Sequence, residues 1–414
     1  MTTEAAADRR SETSARTLPW LLLVVVVVTR LGAVYLADHP DSYGTPNTRI
    51  VGDVEIYRRW SDAITKGGLT PYSDVAIEYP PAVLPFALMP SIGPDDAYRT
   101  LFILSMLVLD LAGLLGVAAV GRRRGSTIGM WLWAIGVPAI GPILYLRLDL
   151  IPAIATIWAF ERWSADSPGV SGGWLGLGVV AKVYPVLILP IAAIMARNKR
   201  ALIAGAALVA AAIVLPFVGS LGSLLSNVIG YHSDRGLQIE SLWGTSLLIA
   251  AHFGHGAAVE FSFGAFHVAS GMSSTLEVLA DLAALTALGA GILFAFKLRD
   301  DDDPLAAEVS FATLACIVAV GTVFSPQFMV WLLALAAIVA SGRGSQLTVP
   351  SLALLPLCAL TQLIYPFNYD ELVFQGDGEL VPQLMILTRN LGVLAVGIVA
   401  FTILARGARD RAPG

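Results

Sequence analysis

GWLGLGVVAKVYPVLILPIAAIMA, Gly173–Ala196, is long enough for one helical crossing of a bilayer, yet it carries a lysine and a Tyr184-Pro185 step near its centre. A hydrocarbon core of roughly 30 Å takes about 20 helical residues to cross. Read as one crossing, the stretch puts the basic cluster Arg197, Lys199 and Arg200 on the side opposite to the other basic clusters of the chain. Read as two half-length arms broken at Lys182-Val183-Tyr184-Pro185, it returns that cluster to the common side. Ten helical residues rise only about 15 Å, so the break would lie near mid-membrane. Irregular backbone at that depth is tolerated where it lines a polar cavity.

The rest of the chain fits this hairpin. Hydrophobic residues make up 56% of the sequence and charged ones 14%, and long apolar runs recur from Trp20 to Ala405. The expected fold is all-α, a polytopic integral membrane protein with about ten full spans plus the broken hairpin. The run beginning at Leu18 exceeds a signal-peptide core and lacks a convincing cleavage site, so it reads as a retained first span. Basic residues gather at span ends: Arg9, Arg10 and Arg16; Arg122–Arg124; Arg162; the Arg197 cluster; Lys297 and Arg299; Arg343; Arg406, Arg409 and Arg411. Placed in the cytoplasm, they leave loops 38–96, 219–275 and 366–383 outside. The organisation expected is a cytoplasmic tail 1–17, one transmembrane domain 18–405 and a cytoplasmic tail 406–414. Cys316 and Cys358 lie in apolar runs and imply neither a disulfide framework nor a Cys-based metal site. A net charge of −5 argues against nucleic-acid partners.

The first outer loop has its own order. Asp53–Lys66 places Val54, Tyr57, Trp60 and Ile64 at helical spacing and stops at Gly67-Gly68, which predicts an amphipathic helix lying along the membrane interface. Tyr79-Pro80-Pro81 forces an extended turn before a short apolar helix ending near Met89.

Taken in order, Asp53–Tyr57, Gly67–Tyr72, Glu78-Tyr79-Pro80-Pro81, Arg147-Leu148-Asp149, Lys182–Pro185, Arg235–Ser241 and Ser325-Pro326-Gln327 resemble glycosyltransferase family 87, over roughly residues 18–405. The resemblance implies the GT-C membrane fold. It also implies an actinobacterial-type mannosyltransferase that takes mannose from a polyprenyl phosphate and passes it, on the outer face, to a glycolipid or lipoglycan with inversion. Asp53 matches that family's catalytic aspartate. Neither a metal nor another cofactor is implied.

Such chemistry needs a base for the acceptor hydroxyl, cations for the leaving phosphate and a site that restrains water. Asp53 is the expected base, though an acid at a helix N-terminus also caps it and meets its dipole. Lys182 at depth in the membrane calls for a partner; that partner is the donor phosphate, or else an acid such as Asp110. Arg235 and Arg147 are further phosphate candidates, the latter alternatively paired with neighbouring Asp149. Glu55, Tyr79, Glu240 and Gln327 are candidate substrate contacts; Glu240 alternatively orients Arg235, or the charges of that loop form a buried ion pair that holds it against the bundle. Arg30 and Arg389 read as side chains snorkelling to the interface. His232 is a candidate switchable acid or base. Tyr72, Trp243 and Tyr365 suit sugar stacking or an interfacial belt. Pentose transfer by an arabinofuranosyltransferase is an alternative within the same chemistry. A lipid or sugar transporter is an alternative of another class, which only one clear helix break disfavours. A membrane scaffold gives no reason for Lys182.

Overall fold

A computed structural model describes residues 4–43, 52–230, 235–299, 305–373 and 380–410. It is an all-α polytopic membrane protein with one small β-hairpin. Among the described residues six helices are long and apolar enough to cross a membrane: Trp20–Asp38, Asp95–Arg124, Lys199–Gly230, Ser273–Leu298, Thr348–Phe367 and Leu380–Ala408. Four more of the expected crossings are shorter helices: Ile128–Ile140, Leu150–Ser164, Ala306–Val320 and Met329–Ala340. Twelve to fifteen residues rise only about 18–22 Å. These short helices are the central ones. Every residue of Met329–Ala340 is buried, as is every residue of Ala306–Val320 except Ile317. A helix apolar on all sides is one surrounded by protein, and here the surroundings are the longer helices. At one end, single-turn segments Pro142–Leu146 and Pro326–Phe328 continue the short helices. A cavity opens beside them.

The hairpin expected at Gly173–Ala196 is present. Its first arm, Pro168–Val179, starts earlier than the apolar run suggests, with Pro168 at the first helical position, where its missing N–H costs nothing. The chain then breaks at Lys182, turns through Tyr184–Leu187 and returns along Leu189–Met195. Arg197 lies 3.9 Å from Asp166, so both ends of the hairpin meet on one side. The first arm packs directly on Lys199–Val214 through small residues. A Cβ on Gly172 would sit 1.9 Å from the Leu202 carbonyl oxygen, and one on Gly176 2.3 Å from that of Ala206. Small residues four apart let two backbones touch where lipid supplies no hydrophobic drive.

The Gly52–Thr65 helix differs from the interfacial reading. Val54, Tyr57 and Trp60 are buried in the protein instead of in headgroups. Tyr57 packs on Trp60, Tyr79 and Phe102 with ring centroids 5.3 to 6.2 Å apart. Its apolar face is the amphipathic stripe read from the sequence, with a protein partner that stripe does not identify. Between the Leu242–Ala251 and Ser273–Leu298 helices, Ala258–Ser262 pairs antiparallel with Ala265–Ala269. Phe263 and Gly264, both at positive φ, form the two-residue turn that suits a twisted hairpin.

Arg30 and Arg389 do not snorkel. Arg30 is 4% exposed and grips Asp110 with two hydrogen bonds of 2.9 and 3.1 Å; Trp133 and Tyr145 also donate to that carboxylate. Asp110 is therefore committed to the first span and is not the partner of Lys182. Arg389 is fully buried, donates to Glu240 at 2.8 Å and lies over the Phe324 ring. Inside a bilayer a charged group that cannot reach the interface must be paired.

Gly172→Leu should destabilise the detergent-solubilised protein by about 3 kcal/mol, because a side chain there overpacks a backbone contact. Gly289→Leu, where a Cβ meets nothing within 4 Å, should leave the midpoint of thermal unfolding nearly unchanged. Equal midpoints for the two variants would refute the close crossing.

Candidate active site

A cavity of about 580 Å³ lies between the Gly52–Thr65 helix with the segment after it, the β-hairpin region 258–269, the hairpin break and the ends of the short central helices. Asp53, Tyr79, Arg147, Lys182, Arg235, Glu240 and Gln327 all line it, although they come from separate parts of the chain. Glu55 does not. One residue pair along from Asp53, it points to the exposed face of the Gly52–Thr65 helix. Asp53, Ile56 and Arg59, spaced three apart, form the cavity face of that helix, while Val54, Tyr57 and Trp60, one residue on, anchor the adjacent face.

Two ion pairs cross the cavity wall. Asp53 contacts the Arg147 guanidinium. Lys182 donates to both oxygens of the fully buried Asp149 at 2.8 and 2.9 Å. Arg147 and Asp149 thus pair outward, each with a different element, and not with one another. Leu148 between them is buried, and the turn aims its two neighbours at separate partners. Lys182 also sits 5.1 to 5.3 Å from the ring centroids of Tyr79, Phe328 and Trp331, at cation–π distance. Trp331 is itself stacked between Tyr184 and Phe328.

The second loop is tied to this wall by Gln238. Its backbone N–H donates to Thr322, its side-chain oxygen accepts from the Phe324 N–H at 2.9 Å, and its amide donates to Ser325. Arg235 donates to the Phe263 carbonyl at the hairpin turn. Glu240 is held by Arg389 and by Asn390, which donates to its carbonyl, so it does not orient Arg235. Gln327 is buried at the cavity edge. Tyr365 faces the cavity; Tyr72, which donates to the Tyr79 carbonyl, and Trp243, which donates to Val320, do not. His252 contacts Gln383, and His232 lies outside the described residues. Among the described residues no three His, Cys, Asp or Glu side chains gather to hold a metal ion.

Glu78, Arg59 and Trp331 line the cavity without having been singled out from the sequence. The Glu-Tyr-Pro-Pro step held the signal for Glu78, since rigid backbone flanks an acid there. Burial pushes its carboxyl up to about 6. Burial likewise raises the Tyr79 and Tyr57 hydroxyls well above their usual range, so both are neutral donors.

Fold and cavity define a polytopic membrane protein with an internal, charge-lined site. Residues 79–326, more than half of the chain, match glycosyltransferase family 87, and the chain belongs to that family. It is a membrane glycosyltransferase. No individual curated protein matches it. The matched segment is narrower than residues 18–405: it contains Tyr79, Arg147, Lys182, Arg235 and Glu240 and stops short of Asp53 and Glu78 on one side and Gln327 on the other.

Lys182→Met should strand Asp149 as a buried unpaired charge and cost about 3–5 kcal/mol. Adding Asp149→Leu should recover most of that loss without restoring transfer. Chemical unfolding followed by tryptophan fluorescence checks the first expectation, and a double variant as unstable as the single one would refute the pairing. A second expectation concerns pH. Folding raises the Glu78 carboxyl from 4.5 to about 6, so the folded protein holds this proton more tightly than the unfolded chain. Stability from this group is present below about 4.5 and is lost as pH rises through about 6. Glu78→Gln should remove that decline from the pH dependence of the thermal midpoint.

Proposed function

We propose that this protein transfers mannose from a polyprenyl-phosphate donor to a glycolipid or lipoglycan of an actinobacterial-type envelope, on the outer face of the cell membrane, with residues 18–405 as one GT-C catalytic domain. The observation that carries the reading is the meeting of Asp53 with Arg147, Lys182 and Arg235 in one cavity that also has an apolar wall of Leu314, Ile317, Val318 and Phe328. A polar cluster beside an apolar wall suits a ligand that is itself a charged headgroup on a hydrocarbon chain.

In this reading the acceptor hydroxyl gives its proton to the Asp53 carboxylate as its oxygen attacks the anomeric carbon of the donor sugar. The bond from that carbon to the phosphate oxygen breaks, and its electron pair leaves on the polyprenyl phosphate. Attack opposite the leaving group inverts the anomeric centre, so a β-linked donor gives an α-linked product. Arg147, Lys182 and Arg235 hold the phosphate and the charge that develops on it. Arriving phosphate competes with Asp53 for Arg147 and with Asp149 for Lys182, which releases Asp53 to act as base when the donor is in place. Tyr79 and Gln327 supply hydrogen bonds to the sugars, Glu240 braces the wall, and Glu55, outside the cavity on the exposed face of its helix, meets the outer part of the acceptor.

Labelled mannose transfer from polyprenyl-phosphate mannose to membrane glycolipid should fall by about a hundred- to ten-thousandfold in Asp53→Asn at equal expression. Equal transfer in both proteins would remove Asp53 as base. Wild-type transfer from a polyprenyl-phosphate pentose but not from the mannose donor would overturn the sugar assignment.

A further inference from the structure

Among the described residues three carboxylates line the cavity, and two are already committed: Asp53 to Arg147 and Glu240 to Arg389. Glu78 forms no ion pair among the described residues. It is nonetheless held half-buried, because the segment on both sides of it is fixed. Ile77 before it is fully buried, the Tyr72 hydroxyl donates to the Tyr79 carbonyl at 2.8 Å, and the Ala82 N–H donates to Val180 in the hairpin at 2.9 Å. Tyr79 packs edge-on against Tyr57 and Trp60. Pro80 and Pro81 remove the remaining freedom. Only its own backbone N–H and the more distant charges of Arg235 and Lys182 offset the desolvation of this carboxylate, and burial remains the largest influence on it. Such groups in a cleft point to a ligand.

Charge decides which ligand. Asp53, Arg235 and Lys182 all act electrostatically on Glu78, so it stands among the groups assigned to base and phosphate. A phosphate placed against Glu78 would be repelled, whereas a neutral polyol is a good partner: an ionised carboxylate offers two oxygens to a pair of hydroxyl donors. We infer that Glu78 is the acceptor-binding carboxylate, which accepts hydrogen bonds from a hydroxyl pair of the glycosyl acceptor and holds the attacking hydroxyl against Asp53. This rests on the transfer reaction proposed above. The groups facing Glu78 across the cavity are Asp53 and Arg59 from the first-loop helix, Arg147 from the turn between central helices, Lys182 from the hairpin break, and Arg235 and Glu240 from the second loop. Because burial lifts its carboxyl to about 6, protonation below that pH removes an acceptor oxygen and weakens acceptor binding, while the donor is still held by the arginines and Lys182.

The test uses the whole protein in proteoliposomes, polyprenyl-phosphate mannose as donor and a lipid extract of the native host membrane as graded acceptor, between about pH 5 and 8. Glu78→Gln should raise the half-saturating amount of acceptor about tenfold or more and leave half-saturation by donor within about twofold. It should also abolish the wild-type rise in acceptor half-saturation below about pH 6, and Glu78→Asp should restore part of the affinity. An unchanged acceptor half-saturation in Glu78→Gln, or a change confined to donor half-saturation, would overturn the inference while transfer by the wild type upholds the reaction. A wild type silent with every polyprenyl-phosphate sugar would overturn both.

Discussion

An ionised side chain away from water must find a counter-charge, and this constraint holds the helices of this protein in register. Arg30 in the first span is bound to Asp110 in the Tyr98–Arg124 helix, Arg389 in the last long helix to Glu240 just before the Leu242–Ala251 helix, and Lys182 in the hairpin break to Asp149. Each pair joins elements that hydrophobic packing alone would allow to slide, because a lipid-facing leucine is as comfortable one turn up as one turn down. Such pairs are weak evidence for added stability compared with an apolar replacement, but losing one partner is costly. Their value here is placement: every pair except Arg30–Asp110 contributes a residue to the cavity wall.

The cavity exists because the central helices are short. Met329–Ala340, Ala306–Val320 and Leu150–Ser164 are sheltered by longer neighbours and end early, where single-turn segments and loops take over. The space left above them is closed by the Gly52–Thr65 helix, which docks through Val54, Tyr57 and Trp60 and thereby turns Asp53, Ile56 and Arg59 inward. The hairpin supplies Lys182 at its break because the first arm crosses Lys199–Val214 at backbone contact, through Gly172 and Gly176. Site and scaffold are thus joined by the same residues, and the aromatic stack of Tyr184, Trp331 and Phe328 supports both.

Much of this was legible in the sequence. Apolar runs and the one-sided distribution of Lys and Arg decide membrane class and the doubling back at Gly173–Ala196, since the energetic penalty for polar backbone and charge in hydrocarbon acts on every residue locally. The amphipathic stripe of the first-loop helix was readable for the same reason, although its partner was not: a stripe records an apolar neighbour and cannot tell lipid from protein. Asp53, Lys182, Arg147, Arg235, Tyr79, Glu240 and Gln327 could be gathered as polar motifs on one side of the protein. Glu55 could not be separated from them, because its distance from the cavity depends on the rotation of one helix.

The sequence by itself determined the class of protein, the broken hairpin and the polar motifs, all of which follow from the cost of transferring nearby residues between water and lipid. Only the tertiary structure decided which charges meet. Asp149 and Lys182 are 33 positions apart, Arg30 and Asp110 80, and Glu240 and Arg389 149. Over such separations any arginine can pair with any carboxylate, and the choice follows from helix packing, which sets distance and burial together. The same packing leaves Glu78 half-buried on a rigid turn without a salt bridge among the described residues, a property that belongs to its surroundings and to no residue alone.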